Sequence, residues 1–165
     1  MTSSVRRWLS EEGDTYVLSL VRAIWGVFLL FGGVREAARF LRGPHFADVF
    51  HLPMVPEVLV PGRTVFAALV VTQLVLALCV LAGRLSRPSL LVTSLIGVYL
   101  LGCDRLVYHN NRYAVFLVAF LLAFSPCDRA FVWGKARLTA EDRRGPLWAA
   151  RLAQVQMSII YVASG

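Results

Sequence analysis

The chain has few of the residues from which metal centres and disulfide frameworks are built. Its three cysteines, Cys79, Cys103 and Cys127, are odd in number and lack CxxC spacing. That argues against a disulfide framework or a zinc site and leaves the first two as small buried hydrophobes. Histidine is equally scarce. His45 and His51 lie in a proline-rich stretch whose spacing fixes no tetrahedral site, and His109 stands apart from both. No metal site is expected. Lysine is rarer still, since Lys135 is the only one among 17 basic residues. There is no clear internal repeat and no pair of interrupted apolar segments, which leaves little basis for alternating-access transport.

Apolar residues are abundant instead. They make up 58% of the chain and give a mean hydropathy of +0.65, a composition that no ordinary soluble domain of this size needs. Five apolar runs stand out: Tyr16–Val34, Val65–Ala82, Ser89–Cys103, Tyr113–Phe124 and Leu147–Ala163. Crossing a bilayer takes about 17 to 25 residues of helix. The first two runs meet this unaided. The third does so by continuing through Leu106 and Val107, the fourth by extending from Asn111 to Pro126, and the fifth by including Arg151, Gln154 and Gln156. The expected fold is therefore all-α, a single polytopic transmembrane bundle over residues 1–165 with spans near 16–36, 64–82, 89–107, 111–126 and 147–164. A buried helix or half-membrane element is the alternative for the fifth. Short connections at Gly83–Pro88 and Asp104–Arg112 make the helices they join antiparallel.

A formal net charge of +7 suggests nucleic acid until the basic residues are placed. With a cytoplasmic N-terminus, nine fall inside (Arg6, Arg7, Arg84, Arg87, Arg129, Lys135, Arg137, Arg143, Arg144) and four outside (Arg42, Arg63, Arg105, Arg112). That positive-inside bias predicts an extracytoplasmic C-terminus in a bacterial inner membrane, with lipids as partners and no nucleic acid. No convincing small-residue cleavage site follows the first run, so it reads as a retained helix.

Two loops are long. Leu41–Gly62 carries four X-Pro steps, which exclude a continuous helix, and its apolar side chains suit a lid or interfacial element at the outer end. Cys127–Pro146 combines Phe131, Val132 and Trp133 with basic residues, as a segment on an anionic surface would.

Ionisable and amide groups inside the runs carry the functional signal, because lipid tolerates them only where they face protein, water or the interface. Arg22 either snorkels to the cytoplasmic headgroups or faces inward toward a polar partner. Gly26 and Gly33 share its helical face and suit close helix approach. Gln73, central in the second run, is expected to bond across a helix interface. Arg151, Gln154, Ser158 and Tyr161 recur near one face of the fifth segment, forming either a polar seam or a cavity wall. The densest polar stretch is Cys103–Tyr113, in which Asn110 or Asn111 can cap the fourth helix and His109 can move protons.

Three segments in this order carry a resemblance: LSLVRAIWGVFLLFGG (18–33), YHNNRYAVFLVAFLLAFSPCDRAF (108–131) and PLWAARLAQVQMSIIYVASG (146–165). Together they resemble the HTTM family and, within it, the membrane domain of vitamin K-dependent gamma-carboxylases. The resemblance implies a membrane bundle with a cytoplasmic start. For carboxylases it also implies oxidation of reduced vitamin K, a strong base that removes a glutamyl gamma-proton, and a lysine just beyond the segment matching Tyr161–Gly165. In this pattern the lysine position and the large extracytoplasmic region both fall after Gly165, so the chain reads as truncated at its C-terminus and complete carboxylation is not expected. Reduced vitamin K or another quinone is implied as cofactor only where that chemistry is retained.

The resulting expectation is an HTTM-like membrane protein that binds a quinone-like or lipid-like ligand. A fragmentary carboxylase-like enzyme completed by a downstream polypeptide, and a small subunit of a membrane-protein complex, are the alternatives. Two clusters are expected. Asn110, Asn111, Tyr161 and His109 surround an outer-facing cavity, Arg22 and Arg151 make polar contacts at the cytoplasmic edge, and Gln154 lies between. Simple capping by Asn110 and Asn111 is the competing reading.

Overall fold

The computed structural model describes residues 7–8, 11–43, 50–105, 110–134, 139 and 141–164. Five α-helices account for most of them. The first, α1 (Tyr16–Arg42), is 27 residues long and buries Leu18, Ser19, Arg22, Gly26, Leu29 and Gly33, a single stripe at three- and four-residue steps. It runs past the apolar segment to Arg42 because Arg35–Arg42 is rich in helix formers. It stops at Gly43, whose N–H closes on the Arg39 carbonyl at 3.1 Å. Its other face, including Leu20, Ile24, Val27, Phe31 and Val34, stays exposed. So continuous an apolar face suits hydrocarbon and would be a liability in water.

The second helix, α2 (Arg63–Ala82), buries Phe66, Val70, Gln73, Ala77 and Val80 on one stripe. It ends at Gly83, which adopts φ +78°; the Gly83 and Arg84 N–H groups close on the Val80 and Cys79 carbonyls. The third, α3 (Ser86–Cys103), begins before Pro88 rather than after it. A proline in the first turn gives up an N–H that has no partner there anyway, so the helix absorbs what reads in sequence as a turn. Then come α4 (Asn110–Ala123) and α5 (Trp148–Ser164).

Three helices, α1, α2 and α3, are long and apolar enough to cross a membrane. The fourth is apolar but short: its 14 residues reach about 21 Å at 1.5 Å each, against about 30 Å of hydrocarbon. It stops before Ser125-Pro126, where the N–H groups of Phe124 and Ser125 tighten onto Leu121 and Leu122. The fifth has 17 residues. The protein is thus an integral membrane protein with an all-α fold.

One small feature lies outside the sequence expectation. Strands β1 (Glu12–Asp14) and β2 (Arg144–Pro146) pair antiparallel, Gly13 opposite Gly145. They tie the start of α1 to the start of α5, and Thr15 Oγ1 donates to the Arg143 carbonyl at 2.7 Å. Glycine suits both paired positions: a Cβ on Gly145 would meet the rigid Pro126 ring at 2.9 Å, and one on Gly13 would displace the tip of Leu147 at 2.8 Å.

α1 packs chiefly on α2 and α3 on α4, and the two pairs join through α2 and α3. Gly26 lets α1 lie against the backbone of Leu81, which a Cβ would approach to 3.0 Å. The core contains Leu18, Ala77, Val80, Leu90, Val118, Ala119 and Leu122, with Leu147, Ala150 and Met157 packed on it. At the end remote from the sheet, the 50–62 segment lies along the end of α3: Met54 N–H donates to Gly102 O and Arg105 N–H to Leu52 O, both at 2.8 Å. A 3-10 turn at Glu57–Leu59 bends it back, and the Tyr99 hydroxyl donates to the Leu59 carbonyl.

Candidate functional site

Each end of the bundle holds one polar constellation. At the sheet end, Arg22 is fully buried, and its partners are main-chain carbonyls rather than a headgroup or a polar side chain. Its guanidinium donates to the carbonyls of Val80, Leu81 (3.3 Å), Ala130 (3.2 Å) and Phe131 (2.8 Å). The last carbonyls of α2 are only partly met by the Gly83 cap, and a cation is well placed against that helix end. The same guanidinium holds the 130–131 segment, which Ser19 Oγ also caps by accepting the Ala130 N–H at 3.1 Å. This cluster has all the marks of a structural clasp.

Arg151 lies at the same end. It pairs with Glu11 of the N-terminal segment and sits over the Trp8 ring at 4.7 Å. Its partners therefore come from the segment before α1. Nearby, Arg87 pairs with Asp128 at 3.5 Å, and Arg84 donates to Trp133 O at 3.2 Å.

The opposite end contains a cavity of about 340 Å³ among α1, α2, α3 and α4. Phe28, Gly32 and Gly33 line it from α1, Phe66 from α2, Gly97 and Leu101 from α3, and Val115 and Phe116 from α4. Two glycines shape the space, Gly32 by leaving it open and Gly97 by admitting the Phe116 ring. Nothing lies within 4 Å of where a Cβ on Gly32 would stand, whereas a Cβ on Gly97 would overlap the Phe116 ring. Charged groups form the mouth. Glu36 of α1 pairs with Arg39 one turn on, at 3.1 Å, and with Arg112 of α4. Asp104 takes the Leu52 N–H at 3.5 Å. At the deep end are Gln73 and Thr93, joined by a 3.4 Å bond from Gln73 Nε2 to Thr93 O. Below the cavity, Trp25 donates its indole N–H to Val115 O at 2.9 Å and bridges α1 to α4.

The candidate residues from the sequence fall elsewhere. His109 and the side chain of Asn110 lie outside the described residues, as do His45 and Lys135. Asn111 is exposed at the start of α4, Gln154 is exposed on α5, and Tyr161 is 71% exposed. The Phe124 and Trp148 rings lie 6.3 Å apart, which brings the end of α4 beside the start of α5. Neither Asn111 nor Tyr161 lines the cavity. Glu36, Arg39, Arg112 and Thr93 were missed as site residues. A signal existed for Gln73, an amide in mid-span, but the ion pair joins residues far apart in sequence and leaves no spacing pattern. Among the described residues no group of three or more His, Cys, Asp or Glu could hold a metal ion.

The HTTM domain family model matches residues 11–165 of this chain. No curated protein and no solved structure matches it significantly.

Proposed function

The chain belongs to the HTTM family, and from that premise we propose that the cavity at its mouth end binds an apolar ligand of the quinone or lipid class. The observation that carries this reading is the cavity itself. Its volume of about 340 Å³ falls in the range of small-molecule sites, roughly 300–1,000 Å³, which combine apolar walls with a few convergent polar groups. Aromatic rings and glycines supply the walls, and Gln73, Thr93 and the Glu36 cluster supply the polar groups.

The same reading places the protein in a bacterial inner membrane with the sheet end in the cytoplasm. Arg84, Arg87, Arg129, Arg143 and Arg144 gather at that end. α1, α2 and α3 cross the bilayer, and α4 and α5 complete five spans with help from their flanking turns. A role as a small subunit draws on one further observation: α5 rests mainly on α4 and leaves Leu152, Val155, Ile159 and Val162 exposed for a membrane-protein partner. The carboxylase-like reading rests on sequence resemblance alone.

Organic extraction of protein purified in mild detergent, followed by mass spectrometry, tests the ligand reading. A near-stoichiometric apolar molecule is expected from the native protein. It should be lost from Gly32→Phe, whose new ring has open space to fill. Equal recovery from both proteins, or no bound molecule from either, overturns it.

A further inference from the structure

We propose that Gln73 and Thr93 form the recognition end of the cavity, and that its ligand is a neutral apolar molecule bearing a hydroxyl or carbonyl oxygen, seated with that oxygen at the deep end and its hydrocarbon toward Glu36. This rests on the ligand-binding reading above and adds the ligand's charge, polar group and orientation.

Thr93 is 1% exposed, and its Oγ1 is buried with no hydrogen-bond partner. Three other helical hydroxyls satisfy themselves one turn back, although Ser86 Oγ in the first turn of α3 is unpaired like Thr93. Thr72 Oγ1 donates to Ala68 O at 2.8 Å, Ser94 Oγ to Leu91 O at 2.7 Å and Ser158 Oγ to Gln154 O at 2.9 Å. Thr93 has the same local option and does not take it. A helical threonine divides between two χ1 wells, so a turn about Cα–Cβ re-aims its hydroxyl without moving the backbone. Gln73 alongside uses one N–H on a long 3.4 Å bond to Thr93 O; an amide has two N–H donors and a carbonyl acceptor to use.

Depth makes the unmet hydroxyl informative. Gln73 lies near the middle of α2, about 15 Å of helix from Arg63 at 1.5 Å per residue. A hydroxyl at that depth is far from bulk solvent, and a ligand oxygen is an economical partner for it.

The mouth sets the charge. Glu36 is matched by Arg39 and Arg112, and Asp104 by the Leu52 N–H, so two acids face two arginines. No net charge remains to recruit an ionic headgroup, and an anion would have to break the Glu36 pairs. Neutrality, an oxygen at the leading end and an apolar body follow together.

The test uses dodecanol, 2-dodecanone, dodecane and ionised dodecanoate, with the full chain in phosphatidylcholine nanodiscs and melting-temperature shifts as the readout. Each affinity is compared between wild type and Thr93→Val, which cancels the unequal partitioning of the probes into lipid. Dodecanol and dodecanone are expected to lose about five-fold in affinity in Thr93→Val, the worth of one hydrogen bond, while dodecane is unchanged. Thr93→Ser should keep the oxygen preference, and it serves as the hydroxyl-bearing comparison if the valine variant folds poorly. Ligand-free Thr93→Val should melt no lower than wild type, because it deletes an unmet group. An equal loss for dodecane, or no loss for the oxygenated probes, overturns the recognition end while leaving the cavity reading standing. A loss for dodecanoate in Thr93→Val as large as that for dodecanol overturns neutrality. If no probe shifts wild type and Gly32→Phe behaves identically, the cavity reading fails too.

Discussion

Arg112 and Glu36, on helices that otherwise meet over a small area, form an ion pair that closes the mouth of the cavity between α4 and α1. Both side chains are partly sheltered, at 31% and 17% exposure, and Glu36 also serves Arg39. One carboxylate therefore answers two guanidinium groups.

Glu36→Gln removes that shared charge and leaves two arginines against one acid, Asp104, in the lining of the mouth. The variant should gain affinity for ionised dodecanoate by roughly five- to ten-fold, the worth of one charge-assisted contact at a semi-exposed site. Neutral probes should change little. Unchanged dodecanoate binding would show that the mouth charges do not face the ligand path.

Arg22→Ala should destabilise the fold by about 1–3 kcal/mol, the usual cost of leaving buried carbonyls without a donor. Four carbonyls lose their donor, and the 130–131 segment loses its tie to α2. Arg22→Lys should recover only part, because a single ammonium cannot span the positions reached by a planar fork. Unfolding midpoints in mild detergent check both. An alanine variant as stable as wild type would mean the carbonyls find other partners without cost.

Gly26 and Gly32 lie on the same helix and predict opposite outcomes. A Cβ at Gly26 comes within 3.0 Å of the Leu81 backbone, which cannot move aside, whereas one at Gly32 meets nothing within 4 Å. Gly26→Val should cost about 1–3 kcal/mol through overpacking. Gly32→Ala should be neutral or gain up to about 1 kcal/mol from helix propensity. Melting curves of the two variants in one detergent suffice, and a reversed order would refute the α1–α2 packing described.

The helices were legible because each apolar run is bounded by glycine, proline or charge, and the Gly83 stop follows from its position just past Ala82. Their ends were less so: α1 runs on through polar helix formers, α3 absorbs Pro88, and α4 stops short of Ser125-Pro126. The β1–β2 pair was invisible, since strands of three residues carry no alternation to read. Arg22 and Gln73 announced themselves as polar groups in apolar runs. Their partners did not, because Arg22 ends on main-chain carbonyls, which every residue has. The cavity was unreadable for a related reason: it exists where Gly32, Gly97 and Phe116 from three helices leave space, a property of packing rather than of any one segment.

The sheet end should respond to acid through Asp14. Two Arg143 hydrogen bonds at 3.3 Å and the Tyr16 N–H at 2.9 Å hold the Asp14 carboxyl below its ordinary value of 3.8, with the Arg143 interaction the larger cause. Arg143 is raised in turn by the same bond. For a carboxyl depressed in the folded state, the stabilising contribution is present in full above the unfolded value and is lost as pH falls through the folded one. The β1–β2 pairing should therefore be unaffected at neutral pH and loosen only below the ordinary aspartate range. The amide resonances of Gly13 and Gly145 in protein labelled for NMR report this directly. Asp14→Asn should abolish the acid-dependent shift and show the loosened state at neutral pH. A shift that persists in the variant would assign the transition to another group.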